Sequence, residues 1–164
     1  MSLYIGIDPG VSGGIVALND DGIIRMCVKM PPTMRDVWDT IYMLSGESSF
    51  AIIEQLGHMP RQGYVDETGK KQSRAMQSPK TMLVMGRSYG HLEMALTAAC
   101  IRFSEVLPRK WQRDIGITVK DKESKTDKKN RHKELAQQLF PGIKVTHAIA
   151  DALLIAEVCR RGNR

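Results

Sequence analysis

Three acidic residues and one histidine sit where they could do chemistry. Asp8 follows the apolar run Leu3 to Ile7, Glu54 follows the run Phe50 to Ile53, and Asp151 lies four residues after His147 in THAIADALLIAEV. Removing a lone carboxylate from water is costly, so an acid at the end of a buried run calls for a cation or a hydrogen-bond partner. Ends of strands and starts of helices are places where side chains converge on a cleft. Residues four apart share a helix face, which pairs His147 with Asp151. Such an oxygen-rich set suits Mg²⁺ or Mn²⁺ over zinc. Two such ions about 4 Å apart can activate a water and stabilise the leaving oxygen of a phosphodiester. Each residue also has a plainer reading. Asp8 could be solvated in a surface hairpin, Asp151 could favour a helix dipole, and His147 could be an exposed cap-region residue. Glu54, directly after Ala51-Ile52-Ile53, is the hardest to place as a surface group. Taken jointly the set is far more specific than any member.

The elements that must position these residues follow from local pattern. Leu3 to Ile7, Gly14 to Leu18 and Ile23 to Val28 read as short strands, with Pro9, Gly10, Gly13 and Gly14 turning the chain after Asp8. The turn glycines let backbone or a phosphate come close. Asn19 to Gly22 form the next turn, and Pro31 and Pro32 stop the sheet. Thr33 followed by Asp36 predicts a capped helix through about Leu44, with Val37, Ile41 and Leu44 on its packing face. Phe50 to Ile53 is a fourth strand. The polar stretch Gln55 to Ser78 is too long for an ordinary connection and suggests a functional loop. Ser78-Pro79 predicts the start of a long helix to about Ala99. In it Met82 reads as core, whereas Gly86 and Gly90 would admit a second helix, as in a dimer interface. Ile101 to Val106 is a fifth strand and Pro108 to Ile115 a short helical turn. The charged stretch Lys120 to Lys133 leads into a helix over Lys133 to Phe140, and a last helix covers about Ala148 to Cys159. With no internal repeat and no linker, residues 1–164 are expected to form one layered α/β domain.

Composition narrows the partner. The 164 residues suffice for one packed domain, and 42% hydrophobic with 26% charged residues is ordinary for a globular protein. No apolar run is long enough to span a bilayer, and a strand pattern begins at once where a secretory signal would stand. Cys27, Cys100 and Cys159 show no zinc spacing, so they are expected to be reduced in a cytoplasmic compartment. The net charge of +6 points to a polyanion. From Lys120 to Lys133 seven Lys or Arg stand against three Asp or Glu. A solvated loop is the plainer reading of such a run; its place just before the last helix favours phosphate contact. Lys110, Lys125, Lys128 and Lys129 are candidates to stabilise charge on a scissile phosphate, with Lys110 and Lys129 foremost. Arg61, Lys70, Lys71, Arg74, Arg87 and Arg131 could extend the path of contact, and affinity would then fall steeply with salt. Trp111 could stack on a base, but a Trp between Pro108 and Ile115 is more often core.

With these motifs in place, the chain resembles the RuvC-type Holliday junction resolvases, in particular the small RuvC-like proteins of phages and prophages. The resemblance rests on GIDPG at Asp8, IIEQ at Glu54 and HAIADALLIAE at His147 and Asp151. Met59 to Gly63 (MPRQG), Met85 to Gly90 (MGRSYG) and Pro108 to Gln112 (PRKWQ) support it. It spans the whole chain. It implies a ribonuclease H-like fold, here a five-stranded mixed sheet flanked by helices, in a homodimer within a bacterial or phage-infected cell. It also implies Mg²⁺-dependent nicking of branched DNA, four-way junctions above all and forks or flaps besides, with Mn²⁺ able to substitute and with 5′-phosphate and 3′-hydroxyl ends. Asp8, Glu54 and Asp151 match the family's metal-binding carboxylates, and His147 would replace the fourth ligand. The bacterial enzymes usually carry that ligand three residues before the last Asp, where this chain has Ala148. The family's aromatic wedge after the second carboxylate is also missing: Gly57, His58 and Met59 occupy that stretch, and Tyr64 is the nearest aromatic.

Two other classes compete. An actin-like or sugar-kinase-like phosphotransferase also opens on Asp followed by glycines, but that class usually needs two related lobes. A nucleic-acid-binding or RNA-processing relative of YqgF type would share the fold, and the intact carboxylates argue against its catalytically silent version.

Overall fold

The computed structural model describes residues 2–46, 48–56, 78–118 and 124–163. Along the chain come β1 (Leu3–Asp8), β2 (Gly14–Leu18), β3 (Ile24–Lys29), α1 (Met34–Tyr42) and β4 (Ser49–Glu54). They are followed by α2 (Pro79–Ala98), β5 (Arg102–Val106), α3 (Pro108–Asp114), α4 (Lys125–Leu139) and α5 (His147–Gly162). The sheet order is β3-β2-β1-β4-β5. β1, β2 and β3 pair antiparallel, while β4 runs parallel to β1 and β5 parallel to β4.

The central strands are buried on both faces, and their alternation sorts side chains into two cores. Ile5, Ile7, Ile15, Ala17, Ala51 and Ile53 pack against α1 and α2. Tyr4, Val16, Leu18 and Ile52 pack against α3, α4 and α5. This is the period-two rule applied to a sheet covered on both sides. In α5, every residue from Ala152 to Cys159 is buried, so the helix lies deep against the sheet.

Local signals act where the sequence puts them. The Thr33 hydroxyl accepts from the Asp36 N–H at 3.1 Å and donates to the Asp36 carboxylate at 2.7 Å, which starts α1. Val37, Ile41 and Leu44 are buried, as their spacing requires. Asn19 Oδ1 accepts from the N–H groups of Asp21 and Ile23 and shapes the turn before β3. Met82 is only partly buried, because the first half of α2 stands away from the sheet and the helix enters the core only from Leu92 onward.

One boundary departs from expectation. The helix expected over Lys133 to Phe140 begins eight residues earlier, at Lys125. The Ser124 hydroxyl accepts from the Asp127 N–H at 3.1 Å and donates to its carboxylate at 2.7 Å. That capping pair starts the helix inside the charged run, and the buried side chains His132 and Ala136 hold it down. Most of the expected loop between Gln55 and Ser78 lies outside the described residues. Among the described residues no helix is long and apolar enough to cross a membrane.

Candidate metal and nucleic-acid site

The strand register brings two of the acids together. Ile7 stands opposite Ile53 in the parallel β1–β4 pair, so one further step brings Asp8 level with Glu54. Alternation sends both to the α5 face, because Tyr4 and Ile52 already point there. The third acid arrives from above. A Cβ on Gly6 would lie 2.2 Å from the Ala156 nitrogen and 2.3 Å from the Ala152 oxygen, so the backbone of α5 rests directly on β1. Only glycine permits that approach, and it brings Asp151, one residue before Ala152, to the strand ends. The turn after β1 closes the back of Asp8. The Gly10 N–H donates to Asp8 Oδ1 at 3.2 Å, and a Cβ on Gly13 would sit 2.6 Å from the Asp8 carboxyl carbon.

The three acids act on one another electrostatically. Burial pushes the Asp8 carboxyl up to about 6, and the charge of Asp151 adds to the effect, while the Gly10 N–H and Lys129 offset part of it. Burial pushes Glu54 up to about 7, aided by Asp8 and Asp151 and opposed by a Trp111 hydrogen bond and by Lys128. Like charges gathered in a partly desolvated place resist ionisation unless a cation joins them. Among the described residues, no three carboxylate, imidazole or thiolate groups are drawn tightly enough to cage a single ion.

Two supporting residues come from the helices behind the acids. Trp111 Nε1–H in α3 donates to Glu54 Oε2 at 2.5 Å. His132 Nδ1 in α4 lies 2.7 Å from Asp151 Oδ1. The two rings meet edge to face, with centroids 5.4 Å apart and planes at 71°. Trp111 is fully buried, which settles the choice between base stacking and core. His132 went unseen in the sequence because it sits 19 residues from its partner. The signal that could have found it is Ser124-x-x-Asp127 as a helix start, which places His132 on the same stripe as buried Ala136.

No family model matches the chain, and no curated protein matches it in sequence. Solved structures do match. The RuvC of T. thermophilus in complex with a Holliday junction substrate superposes with a TM-score of 0.59 at 14% identity, covering 96% of this chain and 92% of that one. A second Thermus thermophilus RuvC structure gives a TM-score of 0.54 at 17% identity over 95% and 92% of the two chains. The fold is RuvC-like. Its five-stranded mixed sheet with flanking helices is the ribonuclease H-like architecture expected from the sequence.

Within this RuvC-like fold the remaining candidates fall in different places. His147 is the exposed first residue of α5 and, among the described residues, has no hydrogen-bond or ion-pair partner. Lys110 is held by Asp114 at 2.7 Å on the exposed side of α3. Lys128 and Lys129 of α4 are the lysines whose charge reaches Glu54 and Asp8. Lys125, one turn earlier on the stripe of Lys128 and Lys129, is exposed. Arg131 donates to the Thr118 carbonyl, tying α4 to the segment after α3. Arg87 is exposed on α2. Arg61, Lys70, Lys71, Arg74 and Tyr64 lie outside the described residues.

Proposed function

We propose that this protein is a metal-dependent endonuclease for branched DNA, with four-way junctions as its main substrate and forks or flaps as further ones. One observation carries the reading. Asp8, Glu54 and Asp151 converge from two adjacent strand ends and a helix, with Asp8 and Glu54 held above their usual range by burial and by their acidic neighbours, in a fold shared with a RuvC that holds a Holliday junction. The pattern of GIDPG, IIEQ and HAIADALLIAE favours the phage and prophage group, acting in the cytoplasm of a bacterial or infected cell.

The donor set fits hard divalent cations. All three groups offer carboxylate oxygens, and the mutual repulsion at Asp8 and Glu54 is relieved by positive charge. Ligands for two ions need not all meet at one point, which agrees with acids spread over two strand ends and a helix. Asp8, Glu54 and Asp151 would hold Mg²⁺, or Mn²⁺ in its place; His147 is the further candidate ligand, one turn before Asp151. When bound, such a pair supplies an activated water and stabilises the departing 3′-oxygen, leaving a 5′-phosphate. The chain's own groups do the rest. The glycine turn packs against Asp8 and fixes its carboxylate. Lys128 and Lys129, whose charges reach Glu54 and Asp8, would offset the charge that develops on the phosphate, and Lys125 extends the basic stripe along α4.

A second copy of the chain supports paired nicks across a junction. On α2, Leu83 is 65% and Val84 50% exposed, and a Cβ on Gly86 or Gly90 would meet nothing within 4 Å. That face is open to a partner helix, and a mass measurement in solution distinguishes dimer from monomer.

The deciding experiment incubates wild type and Asp8→Asn with junction, fork, flap and structured RNA substrates and Mg²⁺. The expected result is junction cleavage by wild type, none by Asp8→Asn, and retained junction binding by both. Normal cleavage by Asp8→Asn, or cleavage of RNA alone, overturns the proposal.

A further inference from the structure

We infer that Trp111 and His132 form an aromatic bracket that sets the orientation of two of the carboxylates, and that His132 is the positioning residue for Asp151. The inference rests on the proposed metal site and deepens it. Each ring sends one polar atom to one acid: Trp111 Nε1–H to Glu54 Oε2, and His132 Nδ1 to Asp151 Oδ1. Each acid therefore has one oxygen hydrogen-bonded to a buried ring. The rings brace each other edge to face, so neither hydrogen bond can turn without disturbing the other. Both rings are buried, with Trp111 at 0% and His132 at 2% exposure, and their orientations are set by packing. A hydrogen-bonded support behind a ligand typically changes metal affinity or activity 10–100-fold when removed.

The tautomer follows from the same contacts. With its proton on Nδ1 the ring donates to Asp151 Oδ1. His132 Nε2 is buried without a partner. In this tautomer Nε2 carries a lone pair and no N–H, so no donor is stranded. The opposite tautomer would strand an N–H and set two lone pairs against each other across 2.7 Å.

Three variants test the bracket. His132→Leu removes the donor, His132→Asn restores an N–H at the Nδ1 position, and Trp111→Phe keeps a ring while deleting its N–H. The readout is Mn²⁺ affinity, by calorimetry on the DNA-free protein, with circular dichroism to verify folding. His132→Leu and Trp111→Phe should each weaken Mn²⁺ binding about 10-fold or more, and His132→Asn should recover most of it. Junction affinity without metal should not move. In wild type, ¹⁵N NMR of the imidazole should show a protonated, hydrogen-bonded Nδ1, a measurement independent of any variant's folding. Absence of Mn²⁺ binding by wild type would sink the metal site itself. Wild-type binding matched by folded His132→Leu, or an Nε2-protonated ring, would sink only the bracket.

Discussion

The two ends of α5 treat acids in opposite ways. Near its C-terminal end Glu157, 5% exposed, accepts from Arg160 Nε and Nη2 and from Arg161 Nε, each at 2.8 Å. Arg160 also donates to the Asp20 carbonyl at 3.1 Å, which ties the helix to the turn before β3. Burial alone would raise the Glu157 carboxyl, but the two guanidinium groups outweigh it and hold it below its usual range. Near the N-terminal end the balance is reversed. Asp8 and Glu54 stand above their usual range, because burial and neighbouring acids exceed what two lysines and two N–H donors return. One helix thus separates a charge matched within the protein from charges left for something outside it. The matched end is structural, and the other end is the proposed site for a cation and a phosphate.

The largest test of that contrast is catalytic. Glu54→Gln should lower the single-turnover rate on a four-way junction by about 10³-fold or more, equivalent to roughly 4 kcal/mol of barrier. Glu157→Gln, measured where it remains folded, should cut at close to the wild-type rate. A comparable loss in both would show that the two ends are not separable.

Stability should show the reverse ranking. Glu157→Ala leaves Arg160 facing an empty acceptor in a mostly buried place, a loss of about 3 kcal/mol and a fall in Tm of roughly 6–12 °C. Asp8→Asn removes an unmatched charge and should raise the Tm of the metal-free protein. Thermal denaturation in EDTA reads both signs at once, and a rise for Glu157→Ala would break the comparison.

The pH dependence sharpens it further. The unfolded chain carries Asp8 and Glu54 near 3.8 and 4.5, whereas the folded protein holds them near 6 and 7. Between these limits the folded state binds more protons, so its stability increases as pH falls through about 7 and then about 6. From pH 8 to pH 5 the gain should be about 2 kcal/mol, discounted for the share of both side chains that meets water. Glu157 runs the other way: its contribution is complete above its unfolded value of 4.5 and is lost as pH falls through its lowered folded value. Urea unfolding in EDTA should therefore show an optimum near pH 5, and Mg²⁺ should lift the alkaline side. A metal-free optimum at pH 8 would contradict the unmatched end.

What could be read in advance divides along physical lines. Asp8 and Glu54 were legible because each ends a short apolar run, and such runs report strands through composition and turns alone. Asp151 was legible because it lies in the first turns of the last helix, four residues after His147, where side chains converge on a cleft. α4 was cut short because its charges hide a narrow buried stripe of His132 and Ala136, too weak to register as periodicity. The bracket could not be read at all: the contact of Trp111 with Glu54 spans 57 residues and that of His132 with Asp151 spans 19, and both depend on how α3 and α4 dock on the sheet. Local pattern positions the acids, and tertiary packing supplies what holds them.

The smallest expected effect separates the lysines. Lys110 ranked with Lys129 as a candidate partner of the phosphate when only the sequence was considered, yet its ammonium is bound to Asp114 four residues on and stays exposed. An exposed pair of this kind is worth about 0.3–0.5 kcal/mol. Lys110→Ala should thus shift stability by no more than that, and cleavage by less than about threefold by the same free-energy conversion. Lys129→Ala, which removes a charge that reaches Asp8, should lower the single-turnover rate well beyond that margin. If Lys110→Ala proved the more damaging of the two, the basic side of the site would belong to α3, and the unmatched acids would have to be neutralised from the opposite flank.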